Sequence, residues 1–274
     1  MIRKPVFAGS FYPMDKENLE MAIEKCEKSR YSRDIKKMGN EVVGVVSPHA
    51  GIVYSGPVAI NAYKLLKLYN IKTVVVIGID HQGFSAKDVA IWAKGGWDTP
   101  FGTLYVDENL SFEIIDHSRF IEEGYREHGR EHSIEVQLPF IYKMLGRDVK
   151  IVPIMISSFE PEVWVDIGKA LAKIKKRFAV IASSDLSHYH LKHIAEEMDK
   201  RTIRYIENID IEGVLNCMNA GMCEACGISA IISLMKLSLE KGVKNGRLLC
   251  YANSGDTYGG EEVVGYSAIS FELR

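Results

Sequence analysis

Short apolar, β-branched runs recur along the chain: EVVGVVS (41–47), KTVVVIGI (72–79), DVAIWA (88–93), VKIVPIMIS (149–157), FAVIASS (178–184) and VVGYSAISF (263–271). Several are continuous rather than alternating, which predicts strands covered on both faces. Between them the apolar residues fall at helical spacing. Pro57 suits the first turn of a helix in which Ala59, Ala62, Leu65 and Leu66 recur. Ile134, Leu138, Ile141 and Leu145 form one stripe of IEVQLPFIYKML, and 161–176, 192–207 and 227–241 read as further helices. Strand and helix alternating in this way predict an α/β fold, an α/β/α sandwich around a central, mostly parallel or mixed sheet. No Gly/Ser/Pro-rich linker and no repeat interrupts the pattern, so residues 1–274 are read as one domain.

The polar residues cluster where the strands finish. VVVIGI runs into Asp80-His81-Gln82-Gly83, VIASS runs into Asp185-Leu186-Ser187-His188, and EVVGVVS runs into Pro48-His49. Ligands of open α/β sheets sit beyond the carboxyl ends of the strands. If these strands are parallel, His49, His81 and His188 converge on one crevice. Neutral imidazoles brought together suit zinc, copper or iron. Two of them plus one anionic ligand leave positions open for substrate, and a remaining His can serve as acid or base. Asp80 and Asp185 are either carboxylates that orient those rings or turn and cap residues.

Composition narrows the classes. The net charge of −2, with 26% charged residues, gives no electrostatic case for nucleic acid or an acidic membrane. The basic KIKKR (173–177) closes an amphipathic segment, where cations favour a helix C-terminus. The longest apolar runs are far too short to span a bilayer, and no secretory leader opens the sequence. Five cysteines make no disulfide framework in a chain of this size, so a cytoplasmic location with reduced thiols is expected.

Cys223 and Cys226 precede an apolar helical run in MCEACGISAIISLMKL. A redox pair at a helix N-terminus, one anionic metal ligand beside a packing residue, and two small buried hydrophobes are all compatible with that pattern. A structural zinc site needs a second pair, which is missing. His128-Gly-Arg-Glu131-His132 satisfies the H-x-x-E-H zinc-protease signature, but that motif must lie within a helix. Gly129 weakens one there, and the apolar periodicity begins only at Ile134. His132 and Glu135, three apart, share a helix face and are read as lining a cleft, with Glu135 alternatively a first-turn charge. YANSGDTYGG (251–260) reads as a turn or loop without a phosphate- or calcium-binding spacing.

Taken in order, AGSFYP (8–13), SPHAGIVYSG (47–56), EHSIEVQLPF (131–140), SSDLSHY (183–189), the Cys226-Gly227 step and YANSGD (251–256) resemble the Memo family, mediator of ErbB-driven cell motility. The resemblance implies a fold similar to that of the class III nonheme-iron extradiol dioxygenases. It implies a metal, iron or copper with zinc as a further option, held by His49, His81 and Cys226. Asp185 and His188 line the same pocket as candidate catalytic residues, with His132 and Glu135 near it. The dioxygenases complete their triad with a carboxylate where this chain offers a thiolate, so ring cleavage does not follow from the fold.

Two readings follow. One is a metal-dependent oxidoreductase acting on a small-molecule substrate, with His188 moving protons. The other is a non-enzymatic module that receives a phosphorylated peptide or another anionic partner in the same pocket. Association with a radical-SAM enzyme and an AMMECR-type protein is implied by the family alone.

Overall fold

The computed structural model describes residues 1–83 and 85–273. These residues build a nine-stranded mixed sheet. Its spatial order is His188–Leu191, Glu262–Leu273, Glu41–Ser47, Ala179–Ser183, Thr73–Ile79, Lys150–Ile156, Val89–Ile91 and Ile121–Glu123, and Gly246–Asn253 pairs with Glu262–Leu273. The four central strands, Glu41–Ser47, Ala179–Ser183, Thr73–Ile79 and Lys150–Ile156, are mutually parallel. Val89–Ile91 runs antiparallel to Lys150–Ile156, and Glu262–Leu273 runs antiparallel to its neighbours. The expected α/β/α sandwich is therefore present, with a mixed sheet.

Continuous apolar strands arise because both sheet faces are covered. Along Thr73–Ile79, Val74 and Val76 enter one core while Val75 and Ile77 enter the other. Ala179 and Ile181 alternate with Val180 and Ala182 in the same way. Period-two alternation sends successive side chains to opposite faces. Helices Lys16–Glu27 and Ile52–Leu68 cover the first face, together with the helical segment 137–145. Helices Pro161–Lys173 and Ile228–Lys241 pack on each other over the second. A small three-stranded sheet, Ile2–Arg3 with Gly96–Thr99 and Gly102–Tyr105, ties the N-terminus to the body.

Three local expectations are corrected. The helix around Pro57 begins at Ile52, so Pro57 lies beyond the first turn; the start is fixed by Ile52 N–H donating to the Phe11 carbonyl and by the Ser55 hydroxyl donating to Ala50 O. The first three residues of YANSGDTYGG end the unpredicted strand Gly246–Asn253. The next four form a short helix, Ser254–Thr257, closed by a reciprocal Asn253–Asp256 capping box. His188, expected as the last residue of the turn Asp185–His188, opens a short strand, His188–Leu191, bulged between His188 and His190. Both misread strands are set by pairing to distant Glu262–Leu273, which local pattern does not report. Among the described residues no helix is long and apolar enough to cross a membrane.

Candidate metal centre

The parallel strands deliver their carboxyl ends to one edge in register, with Ser47 opposite Ser183 and Ile77 opposite Ala182. Ser184 N–H donates to the Ser47 carbonyl at 3.0 Å, clamping two strand ends together. His49, two residues past its strand, is 1% exposed. Its backbone N–H donates to Asp185 Oδ1 at 2.8 Å, and that of Ala50 to the same oxygen at 3.4 Å. Asp185 thus holds the turn that carries His49 and touches its backbone rather than its ring.

Cys226 arrives from the opposite layer, just before helix Ile228–Lys241. Its seat depends on Gly227, where a Cβ atom would lie 2.2 Å from the Ser183 carbonyl oxygen. Only glycine allows that approach. Cys226 N–H donates to Asp185 O at 3.2 Å, and Asp185 N–H donates to Cys226 Sγ at 3.2 Å. The thiol then faces His49 Nε2 at 3.3 Å. Cys223, the alternative ligand, is joined to Cys217 in a disulfide. This corrects the expectation of reduced thiols throughout; Cys26, Cys226 and Cys250 are free.

His81 follows its strand by two residues, and its ring centroid lies 5.1 Å from that of His49. One ligand atom each from His49, His81 and Cys226 lie within 4.8 Å of one another. Metal–nitrogen bonds of about 2.0–2.1 Å and a metal–sulfur bond of about 2.3 Å at a tetrahedral angle separate N and S by roughly 3.5 Å. The 3.3 Å between His49 Nε2 and Cys226 Sγ meets that requirement without rearrangement, so the donor set fits a borderline or soft cation.

His132 joins the same group, its centroid 4.4 Å from that of His81 and 5.2 Å from that of His49. Beneath them lies Glu131, 1% exposed, which the sequence offered in the H-x-x-E-H match and as the first residue of EHSIEVQLPF, with no site role assigned. Its Oε1 accepts from His81 Nδ1 at 2.9 Å and its Oε2 from His81 N at 2.9 Å. His81, Glu131 and His132 form a second group of closely spaced potential ligands. Glu135 instead points away from the crevice. It is paired with Arg3 and accepts from Val6 N, Phe7 N and the Tyr12 hydroxyl at 2.7–2.9 Å. Asp80 accepts from the backbone N–H groups of Gln82, Gly83 and Ser85, as a turn residue does.

The electrostatics suit uncharged imidazoles. Burial, and then the His132, His81 and His188 rings, hold His49 well below its ordinary range. Burial also brings His132 down to about 4, against the pull of Glu131. Burial alone would push Glu131 up, but the His81 hydrogen bond and the neighbouring His81 and His132 rings outweigh it and hold the carboxyl down to about 2. Asp185 is pushed up to about 6 by burial, opposed by the His49 N–H. Burial and the Asp185 carboxylate raise the Cys226 thiol, so the bare site keeps its sulfur protonated, and ligation means release of that proton.

Above these donors opens a crevice of about 580 Å³, in the range of small-molecule sites. His49, His81, His132, Asp185 and His188 line it, and Phe11, Tyr54, Tyr189 and Tyr266 form aromatic walls. No lysine or arginine lines it among the described residues. Arg126 and Arg130 border a different cavity, with Asp80, Gln82 and Glu127. Tyr189 is 75% exposed and holds a left-handed φ of 58°. His188 lies 3.4 Å through Nδ1 from Glu224, which also accepts from His190 Nε2 at 2.8 Å.

Comparison with known proteins agrees with the motifs. The Memo family model, described as Memo-like protein, matches residues 3–270. A MEMO1 family protein of Nitrosopumilus maritimus is 39% identical over 275 residues, spanning 99% of this chain and 100% of its own length. One from Thermoplasma volcanium is 38% identical over 270 residues, 98% of each chain. A bacterial relative from Thermotoga maritima is 38% identical over 283 residues, spanning 99% of this chain and all of its own.

Proposed function

The chain belongs to the Memo family, and from that premise we propose that it is a metal-dependent oxidoreductase acting on a small substrate. The ion, iron or copper with zinc as the non-redox option, would be held by the Nε2 atoms of His49 and His81 and by the Cys226 thiolate. One observation carries the reading: three donors from three separate elements converge within 4.8 Å, and two of them, His49 and His81, line an open crevice.

When bound, the ion supplies Lewis acidity and, for iron or copper, electron transfer at its open positions. The remaining work falls to the chain. Asp185, pushed to about 6, fixes the His49 turn and carries an exchangeable proton near neutrality. His188 lines the crevice beside it as the group that moves protons to and from substrate. Phe11, Tyr54 and Tyr266 exclude water from one wall and favour an apolar or aromatic substrate body. The anionic-ligand reading is less well supported, because no cationic side chain lines the crevice.

Oxygen uptake by anaerobically purified, iron- or copper-loaded protein with small dihydroxy-aromatic substrates tests the activity. Turnover that drops at least 100-fold in His188→Phe with metal content unchanged supports the assignment. Equal uptake by wild type and His49→Ala would sink it.

A further inference from the structure

We propose that Ser183 and Glu131 are positioning residues that fix His49 and His81 as Nδ1-protonated tautomers, leaving both Nε2 lone pairs bare toward Cys226. The inference rests on the metal-site reading for its purpose but not for its evidence, which is a chain of hydrogen bonds, buried around His49 and part-buried at His81.

For His49 the chain is anchored on carbonyl groups, which only accept. The Ser183 hydroxyl donates to the Ser133 carbonyl at 2.6 Å, which uses its single hydrogen. Gln137 Nε2 donates to the Pro48 carbonyl at 3.0 Å and to Ser183 Oγ at 2.7 Å. Its amide orientation is forced, since an oxygen facing the Pro48 carbonyl would be repelled, and the Tyr63 hydroxyl donates to the amide oxygen at the other end. Ser183 Oγ therefore has only a lone pair to offer His49 Nδ1, 2.9 Å away, and Nδ1 must carry the proton. Ser183, Gln137 and Tyr63 are each at most 1% exposed, so no solvent competes for these bonds.

For His81 the anchor is a carboxylate. Glu131 Oε1 accepts from His81 Nδ1 and from Ser133 N at 2.7 Å, while Oε2 accepts from His81 N. Nδ1 of His132 lies 3.3 Å from the same Oε1. With two N–H donors on Oε1 and one on Oε2, Glu131 orients the His81 ring and backbone rather than serving as a ligand. This separates the two closely spaced donor groups: His49, His81 and Cys226 face the ion, and Glu131 stands behind His81. Ligating imidazoles commonly donate their other N–H to a carboxylate or similar acceptor, and loss of that acceptor typically lowers metal affinity 10–100-fold.

The test begins on metal-free protein with ¹⁵N-labelled histidine, using long-range ¹H–¹⁵N correlation at neutral pH. His49 and His81 are expected in the Nδ1–H form, and an Nε2–H form at either overturns the inference for that residue whatever the metal does. Zinc affinity, read by competition with a chromophoric chelator, is then compared for wild type, His49→Ala, Ser183→Ala and Glu131→Gln. The expectation is a 10–100-fold loss for Ser183→Ala and Glu131→Gln, with the spectra showing mixed tautomers at His49 and at His81 respectively. If His49→Ala weakens binding while those two variants bind like wild type, the positioning roles fail and the metal site stands. If His49→Ala binds like wild type, the metal site fails, and the wild-type spectrum still decides the tautomers without any variant having to fold.

Discussion

His128 and His132 sit four residues apart in one segment and end in opposite circumstances. His128 is fully buried between Trp92 and Trp97, and its Nε2 donates to the Ala90 carbonyl at 3.1 Å. Beside it Glu135 meets a fixed cation, Arg3, which lies over the Trp97 ring at 4.2 Å. Arg3 and Glu135 spend their bonds on holding the N-terminal residues to the body, Arg3 on Glu135 and the His128 and Glu131 carbonyls and Glu135 on Val6 N, Phe7 N and the Tyr12 hydroxyl. His132 and Glu131 belong to the other node, where the carboxylate meets imidazoles instead of a guanidinium and the far nitrogens remain available to an open crevice. Each node has a buried glutamate and a histidine; what separates them is whether the carboxylate meets a permanently charged guanidinium or imidazoles that line an open crevice.

The largest expected effect lies on the Arg3–Glu135 side. Arg3→Met leaves the buried Glu135 carboxylate without its cation, and breaking such a pair costs about 3–5 kcal/mol. The three remaining N–H and O–H donors to Glu135 place the cost near the lower figure. Urea unfolding should show that loss while zinc affinity stays within a few-fold of wild type. A loss under 1 kcal/mol, or a large drop in affinity, would erase the distinction between the nodes.

Next comes the disulfide that precedes Cys226. Cys217 and Cys223 are six residues apart, and closing so short a loop stabilises by about 2 kcal/mol in the chain-entropy account. Cys217→Ser should lower stability by about that amount in a thermal melt. Metal affinity should change little, because Cys226 is seated by its own bonds to Asp185 and by the close approach of Gly227.

The smallest effect is a slope. Burial, then Arg3, depress His128 to about 3 in the folded chain, against about 6.5 unfolded. Between those values the unfolded chain holds a proton that the folded chain lacks. The contribution is therefore fully present above pH 6.5 and is lost as pH falls toward 3, by up to about 1.4 kcal/mol per pH unit. His128→Gln should flatten the acid limb of the stability curve by that slope. An unchanged limb would mean that His128 is not held neutral.

Much of the candidate site is legible in the sequence because two of its three candidate ligands sit where strands must stop. His49 and His81 each close an apolar run that cannot continue past a polar turn, and a parallel sheet sends those turns to one edge. Cys226 is not legible from spacing alone; its place depends on Gly227 meeting the Ser183 backbone 44 positions away. Ser183 and Gln137 lie inside conspicuous segments yet carry no local signal, since their meaning comes from His49, a partner 134 positions from Ser183. Glu131 opens the segment EHSIEVQLPF and sits in the H-x-x-E-H match, and neither reports that its partner is His81, 50 positions away. Glu135, read as cleft-lining from its spacing to His132, turns the other way because Arg3, 132 positions off, supplies the charge it needs. Periodicity reports which face a residue is on; it does not report which distant charge waits there.

The central claim is that the node at the crevice holds a metal ion through His49, His81 and Cys226. Anomalous scattering from unsoaked crystals, recorded at the iron, copper and zinc edges, tests it most directly. The account predicts one peak, at a bond length of about 2.0–2.3 Å from His49 Nε2, His81 Nε2 and Cys226 Sγ, absent in Cys226→Ser crystals. A peak held instead by Glu131 and His132, or no metal peak at any of the three edges, would contradict it.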